Sequence, residues 1–441
     1  MTTDVSQLSA DEIDLSSNGI FRRNEAHEIF KTLRRDAPVH WTGPSEANST
    51  GFWSLTKLED VLTVSRQPEL FISSRGITMG QPADDEDETL GTEGGGGAMA
   101  EAAHGASRYG MLITSDPPNH VKLRRLVNKG FTPRAVRAME EHIRSLTTGI
   151  LDEVAARGEC DFVADVAAPL PLAVICEMMG IEREHWDTML NLTNQLLGSS
   201  DPEYQADAGV EAEAGTREAQ QAASQQSAMQ MYGHFMGMVQ ERREHRRDDL
   251  VALLVDSELE GDQLNDMDIL LFCLLLVVAG NETTRNAISG GMHVLSEHPD
   301  QWQMLRDDPD LIDGAVEEIL RWTSPVAHMA RVATADTEIH GQAIAKGDRV
   351  VMWYPSVNRD EDQFERPDEF DITRSPNDHL AFGIGEHFCL GAGFARLEIK
   401  VIFEELLRRL PDIHAVGEPE RLNSNFIAGV KRLPVEYTPE S

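Results

Sequence analysis

The chain has 441 residues, of which 39 are basic and 75 acidic, for a formal net charge of -36 at pH 7. Such an acidic excess argues against a nucleic-acid partner, whose phosphates demand Lys and Arg, and indicates a strongly solvated surface. The four cysteines, Cys160, Cys176, Cys273 and Cys389, are scattered without close pairs, and the acidic N-terminus lacks the apolar core of a signal peptide. Both features suit a reducing cytoplasm.

Residues 24–35 (NEAHEIFKTLRR) carry helical spacing, VHW and FWSLTK read as short strands, and a helix follows at about 57–66. Over 73–114 the periodicity fails. That stretch holds DDEDE and GGGG, so a long mobile insert is expected there. Helical patterns dominate from 118 to about 320. They are interrupted at 201–226 by a Gln- and Ala-rich stretch that favours helix but lacks apolar anchors. The run ILLFCLLLVVAG at 269–280 is 12 residues long, short of the roughly 20 that cross a bilayer. It reads as a helix through a protein core, with no membrane involved. Strands are expected within 331–354, with turns at His340-Gly341 and Lys346-Gly347-Asp348. After an irregular stretch at 358–380 comes a helix over about 392–410 and a strand-like end. No repeat or linker divides the chain. A single domain spanning 1–441, mainly α with small β-sheets, is expected.

Residues 381–391 (AFGIGEHFCLG) surround Cys389 with three glycines. An arbitrary cysteine is most often a small buried hydrophobe, the reading given to Cys160, Cys176 and Cys273. Cys389 differs. Gly383, Gly385 and Gly391 let the backbone turn sharply and approach a flat ligand, and the following helix offers free N–H groups that stabilise a thiolate. A zinc site would need further Cys or His at ligand spacing. A nucleophile would want a base, and His387 is close by. A lone thiolate in a shallow loop suits an axial ligand to haem iron.

The loop Phe382-Gly383-Ile384-Gly385-Glu386-His387-Phe388-Cys389-Leu390-Gly391 resembles the haem-thiolate loop of cytochromes P-450. The resemblance covers nearly the whole chain and implies that family's triangular helical prism around haem b, with Cys389 as the iron ligand and Phe382, Gly383 and Gly391 against the ring. It assigns His120 and Arg124, four apart on one helix face, to a haem propionate, with Arg331 and His387 as further propionate partners. Glu318 and Arg321 match the family's E-x-x-R, and Arg374 matches the third member of that structural lock.

The motif Ala279-Gly280-Asn281-Glu282-Thr283-Thr284 follows the apolar run. In isolation Thr283 would bond back to its own helix. The resemblance implies instead that Ala279 and Gly280 open a groove for O2, that Thr283 hydrogen-bonds there, and that Glu282 relays protons. The implied activity is a monooxygenase. A peroxide-driven peroxygenase and a non-enzymatic haem sensor are the alternatives, and neither needs the acid–Thr pair.

Electrons would come from a separate ferredoxin and its NAD(P)H-dependent reductase, since the sequence holds no flavin or iron–sulfur segment. Lys122, Arg124, Arg125, Lys129, Arg134 and Arg137 lie in a stretch, 117–139, without an acidic residue. Arg396 and Lys400 extend this expected docking face for an acidic partner. Family placement gives Met111, Leu112, Leu196, Leu276, Ala279, Val326, Ala327, Met329 and Phe426 as the substrate pocket. Their apolar character implies a terpenoid, hydrocarbon or steroid-like substrate. AGNETTRN resembles sterol side-chain oxidisers, while RWTSPV, YPSVNRDE and FDITR resemble terpene-alcohol oxidisers.

Overall fold

The computed structural model describes residues 8–45, 50–79, 107–259 and 261–440. Its helices of eight or more residues are α1 (Ala26–Asp36), α2 (Leu58–Ser65), α3 (Asn119–Val127), α4 (Pro133–Val154), α5 (Pro169–Met179), α6 (Trp186–Leu197), α7 (Arg217–Glu244), α8 (Asp266–Glu297), α9 (Pro299–Asp307), α10 (Ile312–Thr323) and α11 (Ala392–Arg409).

The apolar run lies in α8, which passes through the centre of the molecule against α5, α6, α7, α10 and α11. Because neighbours surround it, its side chains are apolar on every face rather than along one stripe. Its start is fixed by Asn265, which accepts from Asp268 N while the Asp268 carboxylate accepts from Asn265 N. Among the described residues, α8 is the single helix long and apolar enough to cross a membrane, and most of that apolar stretch is buried.

A five-stranded sheet flanks the helices in the order Val39–Thr42, Phe52–Leu55, Arg349–Trp353, His328–Ala333, Phe71–Ile72. Trp353 pairs with His328 and Val350 with Arg331. Strand alternation therefore sends His328 and Ala330 to one face and Met329 and Arg331 to the other. On the first face Ala330 and Trp353 pack with Ile29, Phe30 and Leu33 of α1.

Several local expectations are corrected. The helical region contains a strand, Glu159–Asp161, paired antiparallel with Pro434–Glu436. Three residues are too few to show a period, and the partner lies at the other end of the chain. A strand pair, Glu258–Leu259 with Asp262–Gln263, also interrupts it. The 201–226 stretch holds the helix Pro202–Asp207 and the start of α7, capped by Asp201 and Thr216. The α7 anchors that periodicity missed are small: Ala219, Ala223 and Ala228 are buried.

Of the expected mobile insert, 80–106 lies outside the described residues. Its flanks are pinned. The Asp116 carboxylate accepts from Ser73 N and Ser74 N, Ala330 N donates to Ile77 O, and Asp268 accepts from Ser107 Oγ and Arg108 N.

Candidate active site

The cysteine loop is folded by its own backbone. Gly383 N donates to Leu380 O and Cys389 N to Phe382 O, both at 2.9 Å. Gly383 and Gly385 have φ of +66° and +77°, a region that side chains disfavour. At Gly385 a Cβ would also lie 2.6 Å from Ser65 O, whereas at Gly391 it would meet nothing within 4 Å. The loop is thus closed against α2 at one end and open beside the helix start at the other.

Burial pushes the Cys389 thiol up. The amide of Gly391, the guanidinium groups of Arg124 and Arg396, and the amide of Ala392 oppose that push. Burial alone dominates elsewhere, holding Cys160 at about 11 and Cys176 at about 12, with Cys273 also raised by burial. Cys389 is the thiol with a helix N-terminus and two cations arranged around it.

Four of the expected propionate partners converge beside the loop. The rings of His120 and His387 lie 4.2 Å apart, and Ser73 Oγ is 3.1 Å from His387 Nε2. Burial, then Arg124, lower His120 to about 4; burial, Arg331, His120 and Arg124 lower His387 to about 2. His120 Nδ1 is buried without a hydrogen-bond partner. Buried Arg331 bonds to Ala330 O, while Arg124 reaches the loop itself, donating to Glu386 O and Phe388 O. This donor set gathers two guanidinium groups and two imidazoles beside two carboxylates, Asp116 and Glu386, the latter with Oε2 3.9 Å from His120 Nδ1. A flat ring bearing two carboxylates above a thiolate fits both the donor set and the open side at Gly391.

The structural lock forms with the expected partners. Arg321 donates to both Glu318 oxygens at 2.8 Å, and Arg374 Nε lies 3.2 Å from Glu318 Oε2. Arg321 also donates to Asn358 O and Pro367 O. Two residues given no role in the sequence reading join it. Asn377 Nδ2 donates to Glu318 Oε2 at 3.0 Å. Asn358 donates to Ser324 Oγ and accepts from Leu380 N at 2.7 Å, connecting the lock to the first residues of the cysteine loop. Asn358 lies in the YPSVNRDE motif, which says nothing of these bonds, and no local pattern marks Asn377.

On α8, Ala279 is exposed and Thr283 partly so, although nearly every neighbour on the helix is buried. Four residues apart, they share one face, so α8 borders an open space at its midpoint. Thr283 Oγ1 donates to Ala279 O at 3.0 Å, leaving its lone pairs as acceptors. A Cβ on Gly280 would lie 3.1 Å from the Ile175 side chain, so this glycine also lets α5 approach α8. The buried Glu282 carboxylate is held by neighbours on its own helix. Its Oε1 accepts from Arg285 Nη2 and from Asn286 Nδ2, Arg285 continues to Asn194 Oδ1 of α6, and Glu282 Oε2 has no partner among the described residues.

The expected pocket residues fall into two walls. Leu112, Leu196 and Leu276 belong to one apolar cluster, against which Met111 packs. Val326 and Met329 pack on the cluster beside the sheet. Ala327 N donates to Phe426 O at 2.8 Å, which brings the C-terminal segment beside Val326. Met111, Val326, Met329 and Phe426 are partly open, while Leu112, Leu196, Leu276 and Ala327 are buried beneath.

The basic face is smaller than expected. Arg125, Lys129, Arg134 and Arg137 are exposed and make no ion pair with described residues. Arg396 instead forms a two-pronged pair with Glu317, at 2.6 and 2.9 Å, and Lys400 pairs with Asp313 at 2.7 Å. Those two charges are neutralised locally and do not extend the face.

The model of the cytochrome P-450 family matches residues 93–435, and the chain belongs to that family. It is 37% identical over 435 residues to a steroid C26-monooxygenase of Mycobacterium tuberculosis, covering 98% of each chain. It is 37% identical to a linalool 8-monooxygenase of Pseudomonas putida, covering 97% of this chain and 99% of that one. A Mycobacterium marinum cytochrome P-450 solved with pseudoionone superposes with a TM-score of 0.85 at 37% identity, covering 96% and 98%. The fold and the enzyme class expected from the sequence, a cytochrome P-450 monooxygenase resembling terpene and sterol oxidisers, stand. The family implies a haem cofactor, a hydrophobic substrate and a redox partner.

Proposed function

We propose that this protein is a cytoplasmic haem b monooxygenase that hydroxylates a terpenoid, hydrocarbon or steroid-like molecule with O2, taking electrons from a separate ferredoxin and its reductase. The observation that carries the reading is the bared Ala279–Thr283 face at the middle of an otherwise buried helix, in a chain whose Cys389 loop opens beside a helix N-terminus. Bound haem supplies oxygen activation and the oxidation of a C–H bond.

Cys389 holds the iron. His120, Arg124, Arg331 and His387 hold the propionates. Thr283 offers a hydroxyl to the oxygen site, and Glu282 passes protons through Oε2, the oxygen that its ion pair leaves free. The two apolar walls exclude water and orient a substrate with little polar surface. The relatives are named for a steroid and for linalool, which supports a substrate of that character. Arg125, Lys129, Arg134 and Arg137 steer an acidic ferredoxin by charge.

The test is product formation with NADH, ferredoxin and reductase, set against product formation with hydrogen peroxide alone. Turnover dependent on the electron-transfer proteins is expected. Efficient turnover on peroxide alone, with none through ferredoxin, contradicts the reading.

A further inference from the structure

Tyr354 follows the central strand of the sheet, Arg349–Trp353, and starts the short helix Tyr354–Val357. Its backbone is held on both sides, since Tyr354 N donates to Ala327 O and Asn358 N donates to Tyr354 O, both at 3.0 Å. The ring packs in an apolar cluster with Val61, Met352, Val357 and Leu380, and the residue is 6% exposed. A phenylalanine would suit that cluster equally, so the hydroxyl needs its own explanation.

The hydroxyl emerges at the cysteine loop, 3.6 Å from where a Cβ on Gly383 would lie. No described residue hydrogen-bonds it, and Arg331 is the charged group that acts on it. Arg331, on the face of its strand opposite Ala330, uses one guanidinium nitrogen on Ala330 O and directs no other hydrogen bond at a described residue. Both residues are buried; the Tyr354 oxygen could accept from the guanidinium, but no hydrogen bond joins the two, which leaves the phenol O–H and the remaining Arg331 N–H groups as free donors. Buried polar groups of this kind have partners in native proteins. A carboxylate fits between them, because it accepts from both donors and offsets the Arg331 charge.

We infer that the Tyr354 hydroxyl is a haem-binding group, donating to one haem propionate that it shares with Arg331 at the Gly383 side of the loop. The inference rests on the haem reading above and adds a neutral donor to the cationic set. Arg331 supplies charge, while the rigidly mounted phenol fixes the direction in which the carboxylate lies.

The experiment follows haem transfer from the purified holoprotein to excess apomyoglobin, for the parent and for Tyr354→Phe. Each is loaded either with native haem or with haem dimethyl ester, whose propionates are uncharged. With native haem, Tyr354→Phe is expected to lose its cofactor about tenfold faster or more, as for removal of one hydrogen bond to a charged group. With the diester, parent and variant are expected to match, and the Soret band of the reduced carbonyl complex stays where the parent has it. Equal loss rates with native haem overturn the inference. So does equal acceleration with both cofactors, which marks Tyr354 as a packing residue only. A parent protein that retains no haem overturns the haem reading itself, and is recognised before any variant is compared.

Discussion

Thr283 has the most specific chemistry proposed for α8. Its hydroxyl donates to Ala279 O, so toward the open space it presents acceptor lone pairs, and it donates there only by releasing the helix carbonyl. Thr283→Ala removes both options and leaves the thiolate, the propionate partners and the electron route intact. NADH oxidation is expected within a few-fold of the parent, while hydroxylated product falls by a factor on the order of 10², as for loss of a positioned proton-transfer group. The missing electrons should appear as hydrogen peroxide. Parallel assay of NADH, peroxide and product decides it, and full coupling in Thr283→Ala contradicts the role. Cys389, Thr283 and the Glu318–Arg321 pair were legible in the sequence because each motif is contiguous or spans one helical turn. Asn358, Asn377 and Tyr354 were not. Tyr354 and Asn358 sit in YPSVNRDE, but what each side chain meets lies tens of residues away, so that motif gave neither a role, and nothing local marks Asn377. The grip of Arg285 and Asn286 on Glu282 was local, at three and four residues, and the i+3, i+4 rule could have found it.

At the scale of elements, the cysteine loop is set by α10 rather than by its own sequence alone. Glu318 and Arg321 are both fully buried, and Arg321 fixes the carbonyls of Asn358 and Pro367. From there Asn358 Oδ1 receives Leu380 N, and Leu380 O receives Gly383 N. Asn358→Ala leaves Leu380 N without its acceptor in a buried setting and removes the donor to Ser324 Oγ, which still donates to Arg321 O. A loss of about 1–3 kcal/mol is expected, read as a lower thermal midpoint of the holoprotein. Broadening of the ferric Soret band is expected with it, because the loop carries Cys389. An unchanged midpoint with an unchanged band would show that the loop holds its shape without Asn358. The long helix α8 was legible for a physical reason: burial on every side demands an apolar run too dense for a surface helix. The strand Glu159–Asp161 was not, because its stability comes from a partner at the far end of the chain.

At the scale of the molecule, the net charge of -36 makes any exposed basic surface stand out. Arg134 and Arg137 lie in the first turns of α4, where the helix dipole disfavours cations, so helix stability does not explain them. With Arg396 and Lys400 paired off, the steering charge reduces to Arg125, Lys129, Arg134 and Arg137, beside the 41% exposed Phe388 that precedes Cys389. Arg125→Glu with Lys129→Glu is expected to slow reduction by an acidic ferredoxin about tenfold at low salt. The gap should close as salt shortens the Debye length to about 8 Å at physiological strength and below that beyond it. Substrate affinity, read by the haem spin-state shift, should not move. An unchanged reduction rate at low salt would place the docking face elsewhere. Sequence composition exposed this patch but overstated its extent, since Glu317 and Asp313 meet Arg396 and Lys400 only through the packing of α10 on α11.

The whole account turns on one sulfur. The direct measurement is the absorption spectrum of the reduced carbonyl complex, taken for the parent protein and for Cys389→His. The parent is expected to show the red-shifted Soret band that marks thiolate ligation, and Cys389→His to lose it even where haem is retained. A parent lacking that band, or a Cys389→His variant that keeps it, would contradict the assignment of Cys389 as the iron ligand.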